Sequence, residues 1–180
     1  MNTINLIIDG IAVTACEGQT VLEAALAQGI YIPHLCHHPD LKPVGVCRLC
    51  LVEIAGRGVT VSCKTPVAEG MVVKTETPEI ALARKVAVEL LVVNHHVDCL
   101  ACAKDTECAL QDVARFVGIT GERLEQLRRM SRVLPLDTSN PFFVRDANKC
   151  VLCGICVRTC EEIVGASAID YAFRGYATVI

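Results

Sequence analysis

The chain has 180 residues, with 17 Lys plus Arg against 20 Asp plus Glu and a formal net charge of −3. A balance that close to neutral leaves no electrostatic footprint for nucleic acid or for an anionic membrane. Apolar residues make up 52% and aromatic residues 4%, and cysteine alone fills 12 positions, so the composition points first to cysteine chemistry.

In chain order, residues 5–9 and 11–14 read as two strands of a hairpin around Gly10. Residues 20–28 (TVLEAALAQ) read as a helix that stops at Gly29. Residues 51–54 and 59–62 flank Ala-Gly-Arg-Gly, a second hairpin signal, and residues 71–75 give a last short strand. Thr77-Pro78-Glu79 starts a helix with a capping hydroxyl, a proline in the first turn and an acid at the positive end of the dipole. That helix continues through Ile80, Leu82, Val86, Leu90 and Val93 to Asn94-His95. Further helices are expected over 107–117, ending at Gly118, and over 121–132; residues 131–140 read as a linker and 168–180 as a hairpin turning at Arg174-Gly175.

Six disulfides would require a secreted context. The N-terminus, MNTINLIIDG, lacks the basic region, apolar core and cleavage site of a signal peptide. The longest apolar stretch, 80–93, is broken by Arg84, Lys85 and Glu89 and is too short to span a membrane. The expectation is therefore a reduced, cytoplasmic, metal-binding chain.

Apart from Cys16, the cysteines form three groups. The first is Cys36, Cys47, Cys50 and Cys63. A two-iron cluster needs four thiolates, and Cys47-Arg48-Leu49-Cys50 places two of them on one loop, with Gly45 allowing backbone amides to approach the sulfurs. The neighbouring His34, His37 and His38 are read as bystanders, since no Cys-x-x-His follows.

The second group is His95, Cys99, Cys102 and Cys108, with His96 competing for the imidazole role; one histidine and three cysteines also suit zinc. The third, Cys150, Cys153, Cys156 and Cys160, is a Cys-x2-Cys-x2-Cys-x3-Cys run, which presents its first three sulfurs to one four-iron cubane. Two alternatives stay open for Cys160: it closes that cluster, or the fourth ligand lies beyond residue 180. Cys16 is expected to pack as a small buried apolar residue.

These three motifs, in this order, resemble the N-terminal iron–sulfur module shared by several complex redox enzymes. They are the large iron–sulfur subunit of respiratory NADH dehydrogenase, iron-only hydrogenases, the diaphorase subunits of NAD-reducing hydrogenases and the α subunit of NAD-dependent formate dehydrogenases. The resemblance covers essentially the whole chain. It implies an α+β fold with a β-grasp 2Fe–2S ferredoxin-like domain over residues 1–77. A helical 4Fe–4S domain and linker over 78–140 and a partial bacterial ferredoxin-like 4Fe–4S segment over 141–180 would follow.

The resemblance further implies one 2Fe–2S cluster on Cys36, Cys47, Cys50 and Cys63. Two 4Fe–4S clusters would sit on His95, Cys99, Cys102 and Cys108 and on Cys150, Cys153 and Cys156, with Cys160 open. The implied partners are a flavin- and NADH-handling iron–sulfur subunit and a catalytic hydrogenase or formate dehydrogenase subunit or domain. No direct membrane insertion and no nucleic acid are expected.

The sequence has no glycine-rich dinucleotide or phosphate loop and no Cys-x3-Cys-x2-Cys run, so the expected role is an electron conduit with no substrate-transforming site of its own. The rival readings are a zinc-stabilised binding module and a self-standing iron–sulfur redox sensor.

Overall fold

The computed structural model describes residues 2–129 and 131–180. Two compact units are present, one ending at Ala87 and the other beginning at Val88. The first is built on a five-stranded sheet. Its strands are β1 (Thr3–Ile8), β2 (Ile11–Cys16), β3 (Leu51–Ile54), β4 (Gly58–Val61) and β5 (Val72–Lys74), in the spatial order β2-β1-β5-β3-β4. Both expected hairpins form: β1 with β2, and β3 with β4, each antiparallel. Strand β5 enters between them, parallel to β1 and antiparallel to β3, and so joins the two hairpins into one sheet.

Period-two alternation decides which face is buried. Leu6, Ile8, Val13, Ala15, Val52, Ile54 and Val73 point to one side and form a single core with Val21, Leu22, Ala24 and Ala25 of helix α1 (Val21–Ala27). The same alternation corrects the expectation for Cys16. With Val13 and Ala15 inward, Cys16 falls on the opposite face of β2 and is exposed.

Helix α1 begins with a full capping box: the Thr20 hydroxyl accepts from the Glu23 amide, and the Glu23 carboxylate accepts from the Thr20 amide at 2.7 Å. The Asp9 carboxylate accepts from the amide and hydroxyl of Thr75 at 2.8 and 2.6 Å, tying the end of β1 to the end of β5. Residues 28–50, between α1 and β3, contain no regular element, and they carry three of the four cysteines of the first group.

Helix α2 (Pro78–Asn94) starts where the Thr77 hydroxyl accepts from the Ile80 amide. Its buried ridge is Ile80, Arg84, Val88 and Val92, whereas Leu82, Val86 and Leu90 are exposed. Sequence pattern had merged these two faces, because both carry apolar residues.

The second unit contains α3 (Ala109–Phe116), α4 (Gly121–Arg128) and the short α5 (Ile155–Arg158), which runs into a π-helical turn over Thr159–Val164. Helix α4 stops at Arg128; the expected continuation to 132 includes residue 130, which lies outside the described residues. The expected terminal hairpin is reduced to a single bridge, in which Ala172 and Val179 exchange backbone hydrogen bonds around a 3-10 turn at Gly175–Ala177. Its side chains are largely exposed, so no buried face extends the pairing.

Leu22 is fully buried and Leu26, one turn on, is more than a third exposed. Leu22→Ala should cost roughly 3 kcal/mol of unfolding free energy and Leu26→Ala less than about 1 kcal/mol, measured as the difference in urea midpoints at constant slope.

Candidate metal centres

The first cysteine group is assembled from the loop after α1 and from the 3-10 turn Ser62–Lys64 that follows β4. The sulfurs of Cys36 and Cys47 lie 3.4 Å apart, and the Cys50 and Cys63 side chains are hydrogen-bonded to each other. Cys36 also acts electrostatically on Cys50 and Cys63, so the two pairs share one neighbourhood. Cys36, Cys50 and Cys63 are buried and Cys47 is half-buried.

Proton affinities in this group reflect crowding. Its hydrogen bond to Cys36 and burial push the Cys47 thiol far above the ordinary range, against backbone amides of Leu49 and Cys36 that favour the thiolate. The hydrogen bond from Cys63 lowers Cys50 to about 7, while the same bond and burial push Cys63 far up. Both shifts come first from the hydrogen bond that the two thiols share. A bound metal replaces such protons, because thiolates are the ligating form.

The loop is fastened through its backbone. Arg84 is 1% exposed; its Nε donates to the Leu49 carbonyl at 2.9 Å and its Nη2 to the Leu51 carbonyl at 2.6 Å. Its Nη1 donates to Glu76 at 2.7 Å. The intervening Cys50 carbonyl accepts from the amide and hydroxyl of Ser62 at 2.8 and 2.7 Å. Gly45 adopts φ +69°, and a Cβ there would crowd the Lys64 side chain at 3.3 Å, so this turn requires glycine.

His34 is bonded through Nδ1 to the Ile32 carbonyl, and the Asp40 amide donates to His38 Nδ1. His37 stacks edge-on against His34, and burial holds its imidazole below the ordinary value.

In the second unit, His95, Cys99, Cys102 and Cys108 all line one cavity of about 330 Å³. His95 follows the last residue of α2, Cys99 opens a 3-10 turn and Cys108 caps α3. The His95 Nδ1 is buried without a hydrogen-bond partner. Burial holds its imidazole below the ordinary histidine value, against the Cys150 carbonyl, which favours the protonated ring. A neutral ring with one buried free nitrogen suits a metal ligand. His96 also lines the cavity with an unpartnered Nδ1, so burial alone does not separate the two histidines. Among the described residues, no three His, Cys, Asp or Glu side chains converge as ligands of a single ion would.

In the third group, burial raises the Cys153 thiol, with Cys150 and Cys156 adding to the rise and the Ile155 amide opposing it. Cys150 and Cys156 line a further cavity of about 460 Å³. The Leu152 amide donates to the Cys150 sulfur at 3.4 Å. Gly154 has φ +70°, and a Cβ there would collide with the Tyr171 hydroxyl. Cys160 lies in the π-helical turn, where its sulfur accepts from the Ala168 amide at 3.2 Å.

Sequence reasoning missed Arg84 and Ser62. The readable signal was a charge at the centre of the four-residue ridge Ile80, Arg84, Val88, Val92; taken as an interruption of an apolar run, it concealed a buried cation beside Cys50.

The folded arrangement has counterparts in known proteins. Residues 1–78 match a family model described as a 2Fe-2S iron-sulfur cluster binding domain. Residues 84–123 match the NADH-ubiquinone oxidoreductase-G iron-sulfur binding region. The NADH-quinone oxidoreductase G 2 subunit of Rhizobium meliloti is 39% identical over 178 residues, covering 98% of this chain and 21% of that protein. The alpha subunit of NADPH-Fe(3+) oxidoreductase of Geobacter sulfurreducens is 39% identical over 183 residues, again 98% of this chain and 21% of that protein. The chain thus spans about a fifth of the length of these curated relatives.

Among solved structures, a chain of NAD+-reducing [NiFe]-hydrogenase in the H2-reduced state superposes with a TM-score of 0.82 at 35% identity, covering 98% of this chain and 73% of that one. With the two family models, the sequence identity and the nearly full structural coverage in agreement, the chain belongs to the family of iron–sulfur modules found in the G subunit of NADH-quinone oxidoreductase and in NAD+-reducing hydrogenase.

Proposed function

We propose that this chain is an iron–sulfur electron-transfer module of a multi-subunit NAD(P)-linked oxidoreductase, relaying single electrons between a flavin or NADH site and a partner catalytic site. The observation that carries the reading is the gathering of Cys36, Cys47, Cys50 and Cys63 from separate loops into two close, largely buried sulfur pairs. Four thiolates in two pairs fit a 2Fe–2S cluster, two sulfurs to each iron. On this reading Cys36 and Cys47 share one iron, and Cys50 and Cys63 the other.

His95, Cys99, Cys102 and Cys108 would hold a 4Fe–4S cluster, and Cys150, Cys153 and Cys156 a second. Bound clusters would supply one-electron exchange; the chain supplies burial, ligand spacing and hydrogen bonds to sulfur. Functionally the chain falls into residues 1–77 for the first cluster, 78–140 for the second and 141–180 for the third. A flavin- and NADH-handling subunit would stand on one side of the relay, and a hydrogenase, formate dehydrogenase or related catalytic subunit on the other. No helix among the described residues is long and apolar enough to cross a membrane, and a cytoplasmic location belongs to the same proposal.

Anaerobically purified protein should carry about ten irons and a matching content of acid-labile sulfide when all three sites fill. Zinc in place of iron, with no sulfide, would overturn the relay and favour a zinc-stabilised binding module.

His95→Cys should keep a four-iron cluster and lower its potential, since a thiolate adds negative charge. His96→Ala should leave that cluster's EPR signal intact. A lost signal in His96→Ala beside a harmless His95→Ala would exchange the two roles.

Cys160→Ser should leave the cluster on Cys150, Cys153 and Cys156 in place, because Cys160 lies in the π-helical turn beyond the Cys-x2-Cys-x2-Cys run, and in two-cluster ferredoxins the cysteine at this position ligates the other cluster. Selective loss of that cluster's signal would make Cys160 its fourth ligand.

A further inference from the structure

We infer that Arg84 and Glu76 form a charge lever on the first cluster site: the buried Arg84 guanidinium raises the reduction potential there, and Glu76 restrains it. The inference rests on the 2Fe–2S reading of Cys36, Cys47, Cys50 and Cys63. Its structural basis is the juxtaposition of one cation with the backbone on both sides of a single ligand.

Arg84 is 1% exposed, and two of its nitrogens go to the Leu49 and Leu51 carbonyls, which bracket Cys50. The third reaches outward to Glu76, whose side chain is about half exposed. The cation therefore faces the sulfur-bearing loop with little water between, and this counter-ion lies on the solvent side. A buried charge acts over a low effective dielectric, whereas an exposed one is screened. Burial disfavours the charged guanidinium, and Glu76 and then Cys50 favour it.

A cluster gains one negative charge on reduction, so a nearby cation favours the reduced state and a nearby anion disfavours it. Arginine also has a mechanical role, because its planar fork satisfies two carbonyls that a buried loop would otherwise leave orphaned. Lysine keeps the charge and loses the fork; glutamine keeps hydrogen-bonding capacity and loses the charge. The two roles are therefore separable.

The test uses the full-length protein, purified anaerobically, with iron and sulfide determined for each variant. Potentials are read by redox titration of the two-iron EPR signal at a temperature where four-iron signals are broadened. Glu76→Gln should raise the potential, Arg84→Gln should lower it, and Arg84→Lys should leave it near the wild-type value while lowering the thermal midpoint. A potential unchanged or lowered in Glu76→Gln, with full iron content, would overturn the lever; so would an unchanged or raised potential in Arg84→Gln. Should Arg84→Gln fail to fold, the Glu76→Gln titration decides alone, since that side chain is half exposed and its loss leaves the core intact. Absence of iron and sulfide at this site in the wild-type protein is a different result, and it would overturn the cluster reading itself.

Discussion

Residues 47–51 have to meet two demands at once: they must present sulfur to a dry pocket, and they must leave no buried backbone group without a partner. A buried unpaired carbonyl costs about 1–3 kcal/mol, and three in succession would open the loop to water. Arg84 takes the outer two carbonyls and Ser62 takes the middle one. Ser62 precedes Cys63, so the group that satisfies the Cys50 carbonyl also positions the neighbouring ligand. Helix α2, strand β3 and the turn after β4 are thereby fastened around one cysteine. The sheet order follows the same logic, since β3 and β4 deliver both ends of that arrangement, and Cys50 and Cys63 share one core with the buried side chains of helix α1.

Backbone strain occurs in each cysteine group and also at Asp9, Ser167 and Phe173. Arg48, Thr106 and Leu152 adopt φ values of 57°, 67° and 54°, a left-handed region that side chains with a Cβ enter at a cost of roughly 1–2 kcal/mol each. One lies in each of the three cysteine segments: after Cys47, two residues before Cys108 and just before Cys153. The direct effect is visible in the third group, where the turn lets the Leu152 amide face the Cys150 sulfur. Strain of this kind persists where surrounding contacts over-determine the loop, and the ties from Arg84 and Ser62 are such contacts around Cys50.

Much of the first unit was legible because its determinants are local. Gly10 and the Ala-Gly-Arg-Gly turn mark the hairpins, Thr20 and Glu23 mark the start of α1, and Thr77-Pro78 marks the start of α2. What was hidden depended on the side of an element that a residue faces. Cys16 sits one position beyond the inward-facing Ala15 and is exposed, and Arg84 sits on the buried ridge of a helix whose other face is also apolar. Composition treats both residues alike on either face. The terminal pairing around Gly175 was overread for a related reason: the turn signal was real, but no apolar face of neighbouring strands extends the pairing beyond one bridge. At the second site, spacing named the donors and favoured His95 over His96; folding brings all four donors to the lining of one cavity, with His96 beside them.

The three groups also differ in how far the protein alone completes them. In the first, burial, sulfur pairing and backbone ties already fix the ligands, so a change of one unit of charge would meet groups that are already oriented. In the second, the donors line a cavity, and the free His95 Nδ1 leaves part of the coordination to whatever fills it. In the third, Cys156 is exposed, and the amides of Leu152 and Ala168 donate to the sulfurs of Cys150 and Cys160. Electron exchange is cheapest where the surroundings need not reorganise. By that criterion the module is most rigid around Cys50, and rigidity there comes from a buried cation and a serine outside the cysteine motif.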